Sequence, residues 1–269
     1  MFHPKSILGS PSAASACGAV AYSPLTQCTE FDGVDERIQG SAGESAYEFQ
    51  ATDDYTLLCW LKRNGYPSSS ETVLSYYNFA PAIGWSVDIG AGEVFAMLRQ
   101  SNLDRIEGKI FPPASAFLDD QWHLFGLTYD GSNAGTGFKF FIDGAVDSTG
   151  FTTNDVGTIT SIGYGSERLN VGNRGIGAST YYDGRACHPA VIKRLLTEAE
   201  MACLASLGQP VDLASLPWLL ATDIAGWFKL GDGDTIGVGN VINLGSGGAG
   251  DATGQNMEAA DFQIPDVPP

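Results

Sequence analysis

The sequence predicts an all-β protein made of two stacked antiparallel sheets, with one short helix towards the C-terminal end and extended arms at both termini. Three observations carry this. From Phe31 to about residue 195 the chain runs in short apolar segments, separated by clusters of Gly, Asn, Asp and Pro. Its 269 residues include 34 glycines, with 43% hydrophobic and only 17% charged residues, which suits a turn-rich globular β-protein rather than a disordered chain or a coiled coil. Between two apolar runs stands Asp143-Gly144, a dipeptide suited to the tight turn of a hairpin.

Taken in order, residues 1–29 are rich in Ser, Ala and Pro, show no period of 2 or 3.6, and read as an extended arm. In YTLLCWLKR, Tyr55, Leu57, Cys59 and Leu61 share one face and Leu58 and Trp60 the other, so this strand is apolar on both sides and belongs at the centre of a sheet. TVLSYYNF from Thr72 and GWSVDIG from Gly84 are two more strands. The second passes through Gly90-Ala-Gly92 into EVFAMLRQ as a hairpin. WHLFGLTYDG and FKFFIDGAVDS follow, with Phe138, Phe140 and Ile142 on one face and Lys139, Phe141 and Asp143 on the other. RLNVGNRG and GRACHPAVIKRLL supply further strands. Thr197-Glu-Ala-Glu200 is a capping box that starts a short helix through Met201, Leu204 and Leu207, which Gly208 and Pro210 stop. AGWFKLG from Ala225 is one more strand. The Gly- and Asp-rich remainder is too poor in large apolar side chains for a core of its own, so it drapes over the body, pairs with a neighbour or stays mobile. The expected division is an arm (1–29), a body (30–207) and a C-terminal strand with an extended tail (208–269).

The formal charge of −17 and the scattering of the few basic residues argue against nucleic acid as a partner, since phosphate binding rests on clustered Lys and Arg. No apolar run approaches the roughly 20 residues that cross a bilayer, so no membrane partner is expected, and Pro11 and several serines break the N-terminal stretch that could resemble a secretion signal. The five cysteines are an odd number without metal-binding spacing. Cys59 reads as a small buried hydrophobe, Cys17 and Cys28 are the one pair worth testing for a bridge, and a reducing compartment is the simpler setting.

FDGVDERI, YTLLCWLKR, DDQWHLFGLTYDGSNAGTGFKFFIDG and YYDGRACHPAVIKRLLTEAEM occur in an order and at intervals that resemble the laminin-G-like branch of the concanavalin-A-like lectin/glucanase domains, over about residues 30 to 207. The resemblance implies a jelly-roll sandwich. A second one lies further on: GWFKLGDGDT and NMEAADFQIPDVP look like the ending of laminin-G-like proteins of tailed bacteriophage particles, with Trp-Phe-Lys where that pattern has paired tryptophans. It implies a virion component.

Candidate chemistry is sparse. Glu30, Asp32, Asp35 and Glu36 could suggest the carboxylate pair of a sandwich glucanase. On one regular strand, however, Val34 takes the acid's place. A bulge could bring Asp35 round, but it is one methylene short for a retaining pair about 5 to 5.5 Å apart, and Gly33 weakens the strand. The structural alternative has Phe31 inward, Asp32-Gly33 bending the chain, and Asp35 and Glu36 in water. Asp130, Asp143, Asp147, Asp232 and Asp234 are available to a Ca²⁺ ion, as many laminin-G-like domains bind one, but no contiguous loop spacing assigns ligands and the metal site stays unknown. His123 and His188 read as structural. Tyr76, Tyr77, Phe79 and Trp85, with Tyr181 and Tyr182, could stack on sugar rings, although such clusters more often belong to a core or a subunit contact.

These observations lead to a non-enzymatic protein with no catalytic residues and no cofactor. The phage resemblance implies a virion structural or decoration protein that contacts copies of itself and other virion proteins many times over, with room for host-surface glycan binding. The alternative is a carbohydrate-binding module of a secreted or cell-surface protein.

Overall fold

The computed structural model describes residues 26–78, 80–175, 180–231, 234 and 240–268. Two antiparallel sheets are stacked face to face. The first has seven strands: β1 (Thr29–Asp32), β3 (Asp54–Asn64), β8 (Asp119–Asp130), β9 (Phe138–Ile142), β10 (Ala145–Asp147), β13 (Asp183–Ile192) and β14 (Ile224–Trp227). The second has nine: β2 (Arg37–Ala42), β4 (Glu71–Asn78), β5 (Ile83–Ile89), β6 (Val94–Arg99), β7 (Arg105–Ile110), β11 (Thr152–Thr153), β12 (Arg168–Val171), β15 (Asn240–Val241) and β16 (Ala252–Gln255). The seven-stranded order is β1-β13-β3-β8-β9-β10, with β14 sharing the β13 edge with β1, and the nine-stranded order is β11-β7-β6-β5-β4-β12-β2-β16-β15. This is the jelly-roll sandwich expected from the sequence.

Both faces of β3 are apolar because β3 lies between two cores. Tyr55, Leu57, Cys59 and Leu61 join the layer between the sheets, while Leu58 and Trp60 join a second cluster on the outer side of the seven-stranded sheet. β9 divides in the same way, with Phe138 and Phe140 inside and Phe141 outside. The hairpin to β10 turns at Asp143-Gly144 with φ of 50° and 76°, as the dipeptide requires.

Helix α1 (Glu198–Ser206) roofs the outer cluster. Thr197 Oγ1 accepts from Glu200 N at 3.2 Å while Thr197 N donates to Glu200 Oε2 at 2.7 Å, so the capping box forms as read. Met201 and Leu204 pack down on Leu58, Leu124 and Phe141. Gly126 permits this approach, since a Cβ there would run into the Met201 methyl. Each buried side chain of this kind contributes roughly 1.5 to 3 kcal/mol of transfer free energy, so the roof is a large stabilising term.

Beyond the helix the chain is built into both sheets. β14 pairs with β13, β16 pairs with β2, and Cys28 N donates to Ile264 O at 2.9 Å. Ile264 and Val267 close the side of the outer cluster. Cys28 carries a free thiol, so the Cys17–Cys28 bridge does not form. Its S–H donates to Asp266 O at 2.9 Å, and burial pushes its pKa up to about 12. Residues 1–25, and Cys17 with them, lie outside the described residues.

Candidate functional site

The acidic stretch at residues 30–36 is a crossing between sheets. Gly33, at φ 73°, and an Asx turn in which Val34 N donates to Asp32 Oδ1 at 2.8 Å end β1 in one sheet and release the chain to β2 in the other. Glu30 and Glu36 therefore never share a strand. Glu30 pairs with Arg185 at 3.2 Å. Glu36 departs from the expectation that it sits in water: it is buried, its Oε2 accepts from Asp32 N at 2.7 Å, and burial followed by the nearby Asp261 and Asp32 carboxyls raises its pKa to about 7. Phe31 is inward and Asp35 exposed, as read.

The aspartates considered for Ca²⁺ are spread over separate turns. Asp130 and Asp147 cap their own turns through Ser132 N and Thr149 N, Asp143 accepts from Leu124 N, and Asp234 accepts from Gly231 N and Ile242 N. Asp232 lies outside the described residues, and among those residues no cluster of three metal-ligating side chains forms. His123 lies between Asp143 (2.7 Å) and Asp119 (3.1 Å). His188 Nδ1 accepts from Trp227 Nε1 at 3.1 Å.

The aromatic candidates separate by strand parity. Tyr76 and Trp85 are cross-strand partners that both point into the layer between the sheets, where Trp85 Nε1 donates to Tyr47 O at 2.8 Å. Tyr182 is buried there too. None of the three can stack on a sugar. Phe79 lies outside the described residues, and the Tyr181 hydroxyl accepts from Arg37 Nη1 at 3.3 Å. Tyr77 lies on the outer face of the nine-stranded sheet and lines a pocket there.

That pocket has a volume of about 310 Å³ and is lined by Gln39, Tyr77, Asn78, Ala80, Ser166, Arg168 and Asn170. β12 stands between β4 and β2, which places Arg168 directly opposite Tyr77 and Asn170 opposite Gln39. Gln39 Nε2 donates to Asn170 Oδ1 at 2.9 Å, Asn170 Nδ2 donates to Arg168 O at 2.8 Å, and Arg168 Nη1 donates to Gly40 O at 3.1 Å. The walls are thus fixed amides and a guanidinium that keep spare donors and acceptors, a composition suited to hydroxyl-rich ligands. A cavity of about 480 Å³ beside α1 is less suited. Its lysine, Lys139, is paired with Glu198 at 2.9 Å, and the helix terminus above it is already capped.

Next to the pocket, polar side chains are buried as completely as any core residue. Asp88 accepts from Thr72, from Ser86 at 2.6 Å, and from Arg174 Nε and Nη2 at 3.1 and 2.7 Å. Ser75 donates to Asn173 O at 2.8 Å, and Thr72 N donates to Thr180 O at 2.9 Å. These bonds hold the segments at 172–175 and 180–182 against the outer face. The sequence carried a signal for this surface: in GWSVDIG, Trp85, Val87 and Ile89 alternate with Ser86 and Asp88, which sends the tryptophan inward and the acid outward.

Residues 38–202, more than half of the chain, match the family model described as the concanavalin A-like lectin/glucanases superfamily. The chain belongs to this superfamily. Among solved structures it resembles a candidate carbohydrate-binding protein from Bacteroides ovatus, at 15% identity and a TM-score of 0.57, covering 87% of this chain and 59% of that one. It also resembles the receptor-binding domain of a botulinum neurotoxin C/D mosaic serotype, at 12% identity and a TM-score of 0.49, covering 71% of this chain and 46% of that one. This superfamily member thus spans less than two thirds of the length of either structure. No protein of curated function matches the sequence. Among the described residues, no helix is long and apolar enough to cross a membrane.

Proposed function

We propose that this lectin/glucanase-superfamily member is a non-enzymatic carbohydrate-binding module of a secreted or cell-surface protein, and that the Tyr77–Arg168 pocket receives the sugar. The observation that carries this reading is the pocket itself. It is a concave site in which three amides, a hydroxyl and a guanidinium converge over an aromatic floor. The acidic stretch at 30–36 supports a binding role over hydrolysis, because Glu30 and Asp32 end β1 while Asp35 and Glu36 lie in the crossing to β2, and Glu30, Asp32 and Glu36 are engaged in an ion pair and turns. The shared fold of the Bacteroides protein is consistent with the reading at the level of architecture. The virion role implied by the endings GWFKLGDGDT and NMEAADFQIPDVP rests on that resemblance alone.

A glycan array followed by affinity electrophoresis on the bound polysaccharides tests the proposal. Gln39→Ala and Arg168→Ala are expected to abolish retardation, while Lys139→Ala, in the cavity beside α1, leaves it unchanged. Retardation that survives both pocket substitutions, or an array without a single bound glycan, would refute the assignment.

A further inference from the structure

Strand pairing gathers what the sequence scatters. Arg168 of β12 stands opposite Tyr77 of β4, Tyr77 opposite Gly84 of β5, Gly84 opposite Arg99 of β6, and Arg99 opposite Arg105 of β7. Directly paired residues project from the same face, so these positions form one row across the outer side of the nine-stranded sheet. Arg99 lies near the Tyr77 hydroxyl, where its charge opposes the rise in pKa that burial causes. Gly84 is buried and contributes no side chain to the row. With strands about 4.8 Å apart, Arg168 and Arg99 stand roughly 14 Å apart at the backbone, and Arg105 lies one strand further.

The charge of this face runs against that of the whole chain. Of 14 Lys and Arg residues in a chain of net charge −17, five project here from strands, namely Arg37, Arg99, Arg105, Lys109 and Arg168, against two strand carboxylates, Asp88 and Glu107, and Glu93 just before β6, which pairs with Lys109 at 3.3 Å. Both strand carboxylates are engaged. Asp88 holds Arg174 at 2.7 Å, and Glu107 holds Lys109 at 3.2 Å and Arg105 more loosely at 3.8 Å. Among the described residues no carboxylate comes within ion-pair distance of Arg37, Arg99 or Arg168, and the Nε donors of Arg37, Arg99 and Arg105 find no acceptor. The basic notch on the opposite side of the molecule differs in this respect, because Asp266 already neutralises Lys62 and Arg185 there.

We infer that the row Arg168–Tyr77–Arg99–Arg105 selects an acidic glycan, one whose sugar rings carry carboxylate or sulfate groups, running across the strands from the pocket towards β7. A guanidinium presents a planar pair of donors that matches such groups, and several in a line set a spacing that a single charge cannot. An acidic surface elsewhere would repel a polyanion from every other approach. The inference rests on the carbohydrate-binding reading of the pocket and adds the ligand's charge and direction to it.

The test is isothermal titration of the whole chain with an oligogalacturonate, a heparin oligosaccharide, a neutral galactan oligosaccharide and a single-stranded oligonucleotide. One or both acidic sugars are expected to bind, the first if carboxylates are read and the second if sulfates are, with affinity falling between about 0.05 and 0.3 M NaCl. Arg99→Gln and Arg105→Gln, both outside the pocket, each weaken that binding by about tenfold, and Arg99→Lys recovers part of it. Their unfolding midpoints show that each variant is folded. Equal affinity for the neutral sugar, or unchanged binding in both glutamine variants, overturns the inference and leaves the pocket reading intact. Failure of every sugar overturns both readings, and tighter binding of the oligonucleotide overturns the choice of ligand class.

Discussion

The two sheets carry opposite kinds of outer face. On the seven-stranded sheet, Leu58, Leu124, Phe141 and Ile192 are sealed beneath α1 and the C-terminal residues by apolar contact. On the nine-stranded sheet, Ser75, Ser86, Asp88 and Asn170 are no more exposed, yet they are polar and satisfied by one another and by the segments laid over them. Apolar burial degrades gradually when a side chain changes, whereas a buried polar network fails as a unit once one partner is lost. The first face holds the molecule together. The second keeps donors and charges in fixed positions, which suits the recognition role proposed for it.

The comparison can be broken from either side. The largest effect is expected at Phe141, which is completely buried: Phe141→Ala should lower the stability measured by denaturant unfolding by about 4 kcal/mol, while Met201→Leu, which conserves volume beneath the same roof, should cost under about 1.5 kcal/mol. Next is Asp88→Asn, which keeps the size of the side chain but leaves Arg174 without its counter-charge, at about 3 kcal/mol. If the asparagine variant were as stable as the parent, the polar face would be as tolerant as the apolar one and the distinction between them would fall. A third change separates roof from network. Removing residues 264–269 should cost about 1 to 2 kcal/mol through Ile264 and Val267 and should make Cys28, sealed beneath Asp266, reactive to a thiol reagent in the folded protein.

The apolar face was the more legible of the two in the sequence. The doubled apolar pattern of YTLLCWLKR and the capping box at Thr197 announced a covered sheet and its helix. RIEGKI (β7) went unread although it alternates regularly, because Gly108 stands where a third apolar residue would have completed the pattern. The strands after Ser206 were only partly visible, since β15 and β16 are short and owe their existence to a partner strand rather than to their own composition. The arginine row could not be read at all. Its members lie on β6, β7 and β12, and only the register of the finished sheet makes neighbours of residues 99, 105 and 168.

Where the sheets exchange the chain, Glu36 sharpens the comparison through pH. Its pKa rises from the ordinary 4.5 to about 7, first because of burial and then because of its acidic neighbours. The protonated form is therefore favoured by folding. The contribution is complete below pH 4.5 and is lost as the pH rises towards 7, by on the order of 1 kcal/mol after solvent screening. Thermal melts across this window should show a decline that Glu36→Gln flattens. A decline that persists in the glutamine variant would place the titrating group elsewhere.

The smallest effect belongs to His123, at the edge of the layer between the sheets, where it packs against Phe117. The hydrogen bond to Asp143 raises its pKa above 6.5, burial opposes the shift, and the bond to Asp119 adds to it. Because the folded state favours the imidazolium, the stabilisation is fully present below pH 6.5 and disappears as the pH passes the raised value, the same sign as Glu36 but in a higher window. Asp143 is half exposed, so water screens the pair and roughly 0.5 kcal/mol is the expected size. His123→Gln should remove the upper part of the pH profile and leave the lower part to Glu36. If one substitution abolished both, the crossing between the sheets and the β8–β9 edge would titrate as one coupled unit, and the two faces would not be independent.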